Sequence, residues 1–225
     1  VNRLIASPAL GIARVTVGVV AIGILIYAYA LRIVAGDSNP FDYFGYFTNQ
    51  TTLFSAIVLG LAGVTNLRGR AVPGWLVTLR ALAATYLIVV GVIYNVLVPG
   101  TGSAPPWVSA ALHICLPVVV LADWVFAPDR RPLPWRMIWI VLPYPLVWLT
   151  VVLLRGATDG WVPYGFLLPG RGTASLWLHI AGLLYAMLAA AALIWSLSRT
   201  RTVVYPSGGR SGPEPTRSEV MRDVQ

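Results

Sequence analysis

Six long apolar stretches, each followed by a short polar or glycine- and proline-rich break, account for most of the chain. A helix needs about 20 mostly apolar residues to cross the hydrocarbon core of a bilayer. The stretches therefore predict membrane helices over about Pro8 to Val34, Tyr43 to Thr65, Trp75 to Val98, Trp107 to Phe126, Pro134 to Leu154 and Ala174 to Leu197. Trp75, Trp107, Trp135 and Trp177 stand near helix starts, where amphipathic rings anchor at the membrane interface. The breaks hold turn formers: Asp37-Ser38-Asn39-Pro40, Pro99-Gly100-Thr101-Gly102 and Pro128-Asp129-Arg130-Arg131-Pro132. The first stretch contains Ala28-Tyr29-Ala30, which resembles a signal-peptidase site, but its apolar run is longer than a signal peptide needs. It is expected to stay as a helix.

Composition sharpens this picture. Of 225 residues, 57% are apolar and 11% charged, against the roughly 25% charged of soluble domains. Six spans and short loops nearly exhaust residues 1–198, which leaves no room for a soluble catalytic domain. The remainder, 199–225, is rich in Gly, Ser, Pro and charge and is expected to be a disordered tail. All 16 basic residues are Arg, and they cluster at helix ends, as expected for contact with anionic lipid headgroups rather than nucleic acid. Thirteen of the sixteen fall on one side of the expected bundle; Arg32, Arg155 and Arg171 alone fall on the other. The richer side is expected to be cytoplasmic. The fold class expected is thus an all-α integral membrane bundle of six helices with both termini inside.

Polar residues within the spans need a partner or a task. Thr48, Thr52 and Ser55 share one face of the second helix. Thr48 and His113 each lie six residues into their helices, roughly 9 Å below the outer surface. Asn49, Gln50, Asn95 and His179 fall near the same depth. A proline at 117 cannot bond the carbonyl of His113, so a kink with a free acceptor is expected beside the imidazole. Pro143 and Pro145 should likewise free the carbonyls of Trp139 and Val141. The 156–172 loop combines five glycines with Trp161, Tyr164 and Phe166, and reads either as a lid over this layer or as an interfacial anchor. Asp123 and Arg80 share a depth near the opposite surface and are expected to form an ion pair. Ala56, Gly60 and Gly63 form a small-residue stripe for close helix packing. The lone cysteine, Cys115, lies in an apolar segment and excludes an internal disulfide. No metal-ligand spacing, phosphate loop or dinucleotide fingerprint is present, so neither metal nor cofactor is expected.

Gly45-Tyr46-Phe47-Thr48, then His113 with Leu116-Pro117, then Trp161-Val162-Pro163-Tyr164-Gly165-Phe166-Leu167 occur in that order on a polytopic chain. Together they resemble the androgen-induced-gene (FAR-17a) family of membrane proteins and its bacterial relatives, over roughly Phe41 to Gly170. The animal members hydrolyse fatty acid esters of hydroxy fatty acids with a threonine and a histidine inside the membrane. The resemblance implies Thr48 as nucleophile and His113 as base, although the interval from His113 to Pro117 is about one residue shorter than in the animal proteins.

The residues themselves fit a dyad, because a threonine hydroxyl needs a base and histidine titrates near neutrality. Asn49, Gln50, Thr52, Asn95, Tyr164 and His179 are the candidate oxyanion or substrate contacts. Membrane lipids are the expected partners, with an acyl ester as substrate. The alternative is a non-catalytic lipid-binding or scaffold protein. A transporter finds no support, because no charge lies near the midplane and no internal repeat is visible. The arginine asymmetry predicts that a topology reporter fused after Leu197 reads the cytoplasm and one in the Pro99–Pro106 loop reads the exterior. The opposite result at either site overturns the expected orientation.

Overall fold

The computed structural model describes residues 7–100 and 102–200, and these form helices and connecting turns. Among them, six helices are long and apolar enough to cross a membrane: α1 (Pro8–Val34), α2 (Phe47–Leu67), α3 (Gly74–Leu97), α4 (Pro106–Phe126), α5 (Trp135–Thr158) and α6 (Thr173–Leu197). The chain is a six-helix, multi-pass membrane bundle. Neighbours alternate in direction. The start of α1, the end of α2, the start of α3 and the end of α4 meet at one end through Arg14, Asn66, Arg80 and Asp123. At that same end Trp124 of α4 donates to the carbonyl of Ile194 in α6, and Trp195 of α6 to the carbonyl of Pro134 just before α5. This is the arginine-rich end. The expected tail lies outside the described residues from 201 onward. Arg199 and Thr200 are built into the bundle: Arg199 sits over the Trp135 ring, and the Thr200 carbonyl accepts from Arg130.

The central helix is α3, with 67% of its most apolar stretch buried, against 28% for α1 and 22% for α5. It packs on α2, α4 and α6. The buried residues of α1 (Gly11, Arg14, Gly18, Ala21, Leu25, Ala28) recur every three or four positions and face α2. A Cβ at Gly18 would stand 2.7 Å from the Ala56 carbonyl oxygen, and one at Gly63 would stand 2.7 Å from that of Gly11. The small-residue stripe is therefore a packing surface, and α1 supplies glycines of its own to complete it. Trp75, Trp107, Trp135 and Trp177 are all largely exposed, as anchors at helix ends should be.

Three helices depart from the expected regular spans, each for a local reason. The second span does not begin at Tyr43. Asn39 caps a single turn, Pro40–Tyr43, and the chain restarts as α2 at Phe47 with Tyr46 at its N-cap. Gly45 between them packs against the Trp161 ring, and its carbonyl accepts from Trp148 at 2.9 Å. Next, α4 widens into a π turn over Ala111–Cys115. Finally, α5 opens as a 3₁₀ helix over Trp135–Val141 and becomes α-helical from Pro143, ending at Thr158 rather than Leu154. The two prolines act as expected: the Leu142 N–H turns back to the Trp139 carbonyl, and the Val141 carbonyl accepts from the Tyr86 hydroxyl at 3.2 Å.

The expected Arg80–Asp123 pair forms, but it is half of a larger assembly. Arg14 and Arg80 each bond both Asp123 and Asp129, at 2.5–3.1 Å, and Arg14 also bonds Asn66. Arg14, Arg80, Asn66 and Asp129 are buried, at 1–5% exposure. Neither arginine reaches a headgroup, which corrects the expectation from their position at helix ends. In a water-free interior two cations and two anions must neutralise one another, and here each charge touches both of opposite sign. Burial alone would raise the Asp129 carboxyl; the hydrogen bonds and charges of Arg14 and Arg80 outweigh it and hold the group well below the usual carboxylate range.

Two outcomes follow for thermal melts in detergent. Asp129→Ala should cost about 3–5 kcal/mol because it strands two buried arginines. The double variant Arg80→Ala/Asp123→Ala should lose less than the sum of its single variants, since Arg14 and Asp129 stay paired; additive losses would refute the network. Because the folded Asp129 pKa is depressed, its stabilisation is complete above the unfolded value of about 3.9 and is lost as pH falls through the folded one. Stability should therefore be flat near neutrality and fall below about pH 4, with a smaller acid loss in Asp129→Asn.

Candidate functional site

At the opposite end, Thr48 and His113 meet. Thr48 is the second residue of α2 and is 7% exposed. Its Oγ1 lies 3.4 Å from His113 Nε2, at the long end of hydrogen-bonding distance. The other ring nitrogen, Nδ1, lies 2.9 Å from the carbonyl oxygen of Ser109, one turn back in α4. A carbonyl only accepts, so Nδ1 carries the proton and Nε2 presents its lone pair to the Thr48 hydroxyl. This is the tautomer a base requires. The Tyr94 ring of α3 stacks on the imidazole with centroids 3.5 Å apart and planes 10° from parallel, which fixes the ring plane.

The π turn explains why His113 sits there. Pro117 has no N–H for the His113 carbonyl, and the Leu116 N–H reaches five residues back to Ala111. The freed carbonyl is not left open beside the imidazole, as expected from sequence. Asn95 Nδ2 of α3 donates to it at 3.2 Å, and to the Gly91 carbonyl at 2.7 Å. Gly91 admits this approach, since a Cβ there would stand 3.2 Å from the same carbonyl oxygen. Asn95 thus supports the backbone of the histidine rather than lining the space above Thr48.

The middle of the 156–172 loop packs onto the bundle, while 157–160 and 170–172 lie exposed at its surface. Phe166 and Leu167 are buried, and Tyr164 packs against Tyr46 and Trp148. Tyr164 and Thr48 line the same space. The N–H groups of Phe47 and Thr48 belong to the first turn of α2, where no helical carbonyl is available. Burial pushes the Tyr164 hydroxyl up to about 12, which keeps it a neutral donor.

Two spaces meet at Thr48. One is a cavity of about 550 Å³ whose wall includes Thr48, Asn49, His113, Tyr164, Arg32 and Arg171. The other is a narrow apolar slot of about 70 Å³ running between α3, α5 and α6, walled by Val89, Ile93, Leu149, Leu183 and Met187 among others. Thr48, Tyr94, Val98, Tyr164 and Phe166 line both.

The remaining candidates have other places. Asn49 lines the cavity but donates its amide to the Tyr43 carbonyl at 2.7 Å. Gln50 bonds the Phe44 carbonyl and accepts from Tyr144, and it lines a separate cleft between α2 and α5. Thr52 is fully buried, lines neither space, and its hydroxyl has no partner. His179 bonds the Ser175 carbonyl and stacks on Phe166, away from Thr48. Sequence reading missed Tyr94 and Ser109. Ser109 precedes His113 by one helical turn, and that spacing could have singled out its carbonyl.

Nitrogen NMR of histidine-labelled protein should show both histidines protonated at Nδ1, with the signal lost in His113→Ala assigning the dyad member. A proton on Nε2 of His113 would break the donor–acceptor order given above. Asn95→Leu should cost about 1 kcal/mol in a melt by stripping the His113 carbonyl of its partner. No family model, curated protein or solved structure matches the chain, which leaves the geometry around Thr48 as the ground for a functional reading.

Proposed function

We propose that the protein is an intramembrane lipid-ester hydrolase with Thr48 as nucleophile and His113 as general base. The observation that carries this reading is a threonine hydroxyl aimed at a histidine lone pair where a polar cavity joins an apolar slot. His113 Nε2 takes the Thr48 proton as Oγ1 attacks the ester carbonyl carbon. The oxyanion forms beside the first-turn N–H groups of α2 and the neutral Tyr164 hydroxyl, which stabilise it. Collapse breaks the carbon–oxygen bond of the ester, and the leaving alcohol takes the proton from His113. Water then attacks the acyl-threonine, His113 accepting its proton, and releases the carboxylic acid with Thr48 restored. The apolar slot, at about 70 Å³, takes only the first carbons of the acyl chain beside the ester. With the arginine-rich end in the cytoplasm, the cavity opens to the exterior, and the substrate arrives from the outer leaflet. The resemblance to the FAR-17a family supports the same pair of residues. The rival reading is a lipid-binding protein that uses the same cavity without chemistry.

An electrophilic alkyl phosphonate should label the protein once, on the peptide containing Thr48, as read by mass spectrometry. Thr48→Ala should abolish the adduct and Thr48→Ser should retain part of it. His113→Ala should slow labelling by about 10²–10⁴-fold, the usual worth of general-base assistance. Labelling should fall at acid pH, because a protonated imidazole has no lone pair for the Thr48 proton. His179→Ala should change little, since that ring lies away from Thr48. Folded wild-type protein that never labels, or Thr48→Ala that labels equally well, would leave the binding reading in its place.

A further inference from the structure

The cavity beside Thr48 has charged residues of one sign. Arg32 and Arg171 line it, and no acidic side chain does. The acids at this end of the bundle are engaged elsewhere: Asp42 and Asp159 with Arg155, and Asp37 with Arg32. Among the described residues the Arg171 side chain has no ion pair or hydrogen bond, and it is exposed. Arg32 is different. Its side chain is 17% exposed, one Nη bonds Asp37, and its Nε is buried with no partner. That Nε has no accessible surface, so the Nη groups of Arg32 and Arg171 are the donors that an anion in the cavity would meet.

Both arginines are tied to the segment that covers Thr48. The Arg32 guanidinium lies 5.9 Å from the centre of the Tyr46 ring, and Tyr46 packs edge-on against Tyr164. The Arg171 guanidinium lies 3.9 Å from the point where a side chain would begin at Gly165, the residue after Tyr164. The two cations therefore lie near the Tyr164 segment, on the cavity that Thr48 also lines. With Asp37 counted, the cavity lining keeps a net positive charge next to an apolar slot.

We infer that Arg32 and Arg171 form an anion-recognition site in this cavity, which selects amphiphiles carrying a carboxylate or a phosphate alongside their acyl chain. The planar guanidinium matches either anion through paired N–H donors. The inference rests on the cavity being the substrate site, and it adds what the substrate must carry. Carboxylate and phosphate share this chemistry, and the two are separable by experiment.

The test uses the full chain carrying Thr48→Ala, held in nanodiscs of phosphatidylcholine, so that binding is read without turnover. Dodecanoate, dodecyl phosphate and dodecanol have the same chain and differ in the headgroup. At least one anion should bind about tenfold or more tightly than dodecanol, the scale of a charge-assisted hydrogen bond. A preference for dodecanoate assigns a free carboxylate, and a preference for dodecyl phosphate assigns a phosphoryl headgroup. Arg171→Gln, at an exposed position, should weaken the favoured anion about tenfold and leave dodecanol unchanged. Arg32→Gln should do the same, and Arg32→Lys should keep part of the affinity, having the charge without the fork. Equal binding of all three ligands, or an anion preference that survives Arg171→Gln, overturns the inference. Either result leaves phosphonate labelling at Thr48 untouched, so a failed anion site and a failed nucleophile are distinguishable.

Discussion

Four charges largely shut off from water hold this bundle in register. Arg14, Arg80, Asp123 and Asp129 come from α1, α3, α4 and the loop after α4, and Asn66 of α2 joins them. No member can be withdrawn without stranding the others, so the rotation of four helices about their axes is fixed at this end. The constraint acts at a distance. From Asn66 to Thr48 along α2 is 18 residues, about 27 Å, and from Asp123 to His113 along α4 is ten, about 15 Å. Helices are stiff over such lengths, so setting their angle at one end sets where the two side chains point at the other. The glycine contacts between α1 and α2 fix the remaining freedom by bringing backbone within reach of backbone.

The site divides its labour among neutral groups. A carbonyl, that of Ser109, orients the histidine in the place a carboxylate takes in a triad, and a stacked tyrosine ring holds its plane. Charge is kept out of the immediate neighbourhood of the Thr48 hydroxyl and placed at the wall and mouth of the cavity, in Arg32 and Arg171. A neutral carbonyl stabilises an imidazolium less than a carboxylate does, so such a dyad relies on the donors around the developing oxyanion.

Helix number, the Arg80–Asp123 contact and the carbonyls freed by Pro117, Pro143 and Pro145 were legible in sequence, because hydropathy and the missing proline N–H act locally; the π turn and the Asn95 bond at His113 were not. The meeting of Thr48 and His113 was legible only as a shared depth. Depth does not give the facing of a helix, which is why Gln50, Thr52 and His179, at comparable depth or on the same stripe, point to different surroundings. Arg14 was hidden for a related reason. A cation near a helix start reads as a headgroup contact until its partners are known, and Asp129 lies 115 residues away along the chain. The break at Gly45 was also hidden, since the residues on either side are as apolar as the helix they interrupt. It takes Trp148 and Trp161, from remote segments, to hold the chain open there.

A π turn is one residue more than an α-helix of the same rise, and it sets the angle between the two halves of α4. Each residue advances an α-helix by about 100°. Removing one residue from Ala111–Cys115 would take out the extra residue, leave the gap at Pro117, and swing everything before it through about that angle. Ser109 and the fully buried Val108 would turn to new neighbours, while Leu116–Phe126 and the aspartate it carries would stay in place. Length changes in this helix are thus invisible to the ionic end and decisive at the cavity. The same fold can carry a differently shaped chamber after a single-codon deletion, at the cost of the packing that Val108 and Leu112 make with Leu25, Ala28 and Tyr43.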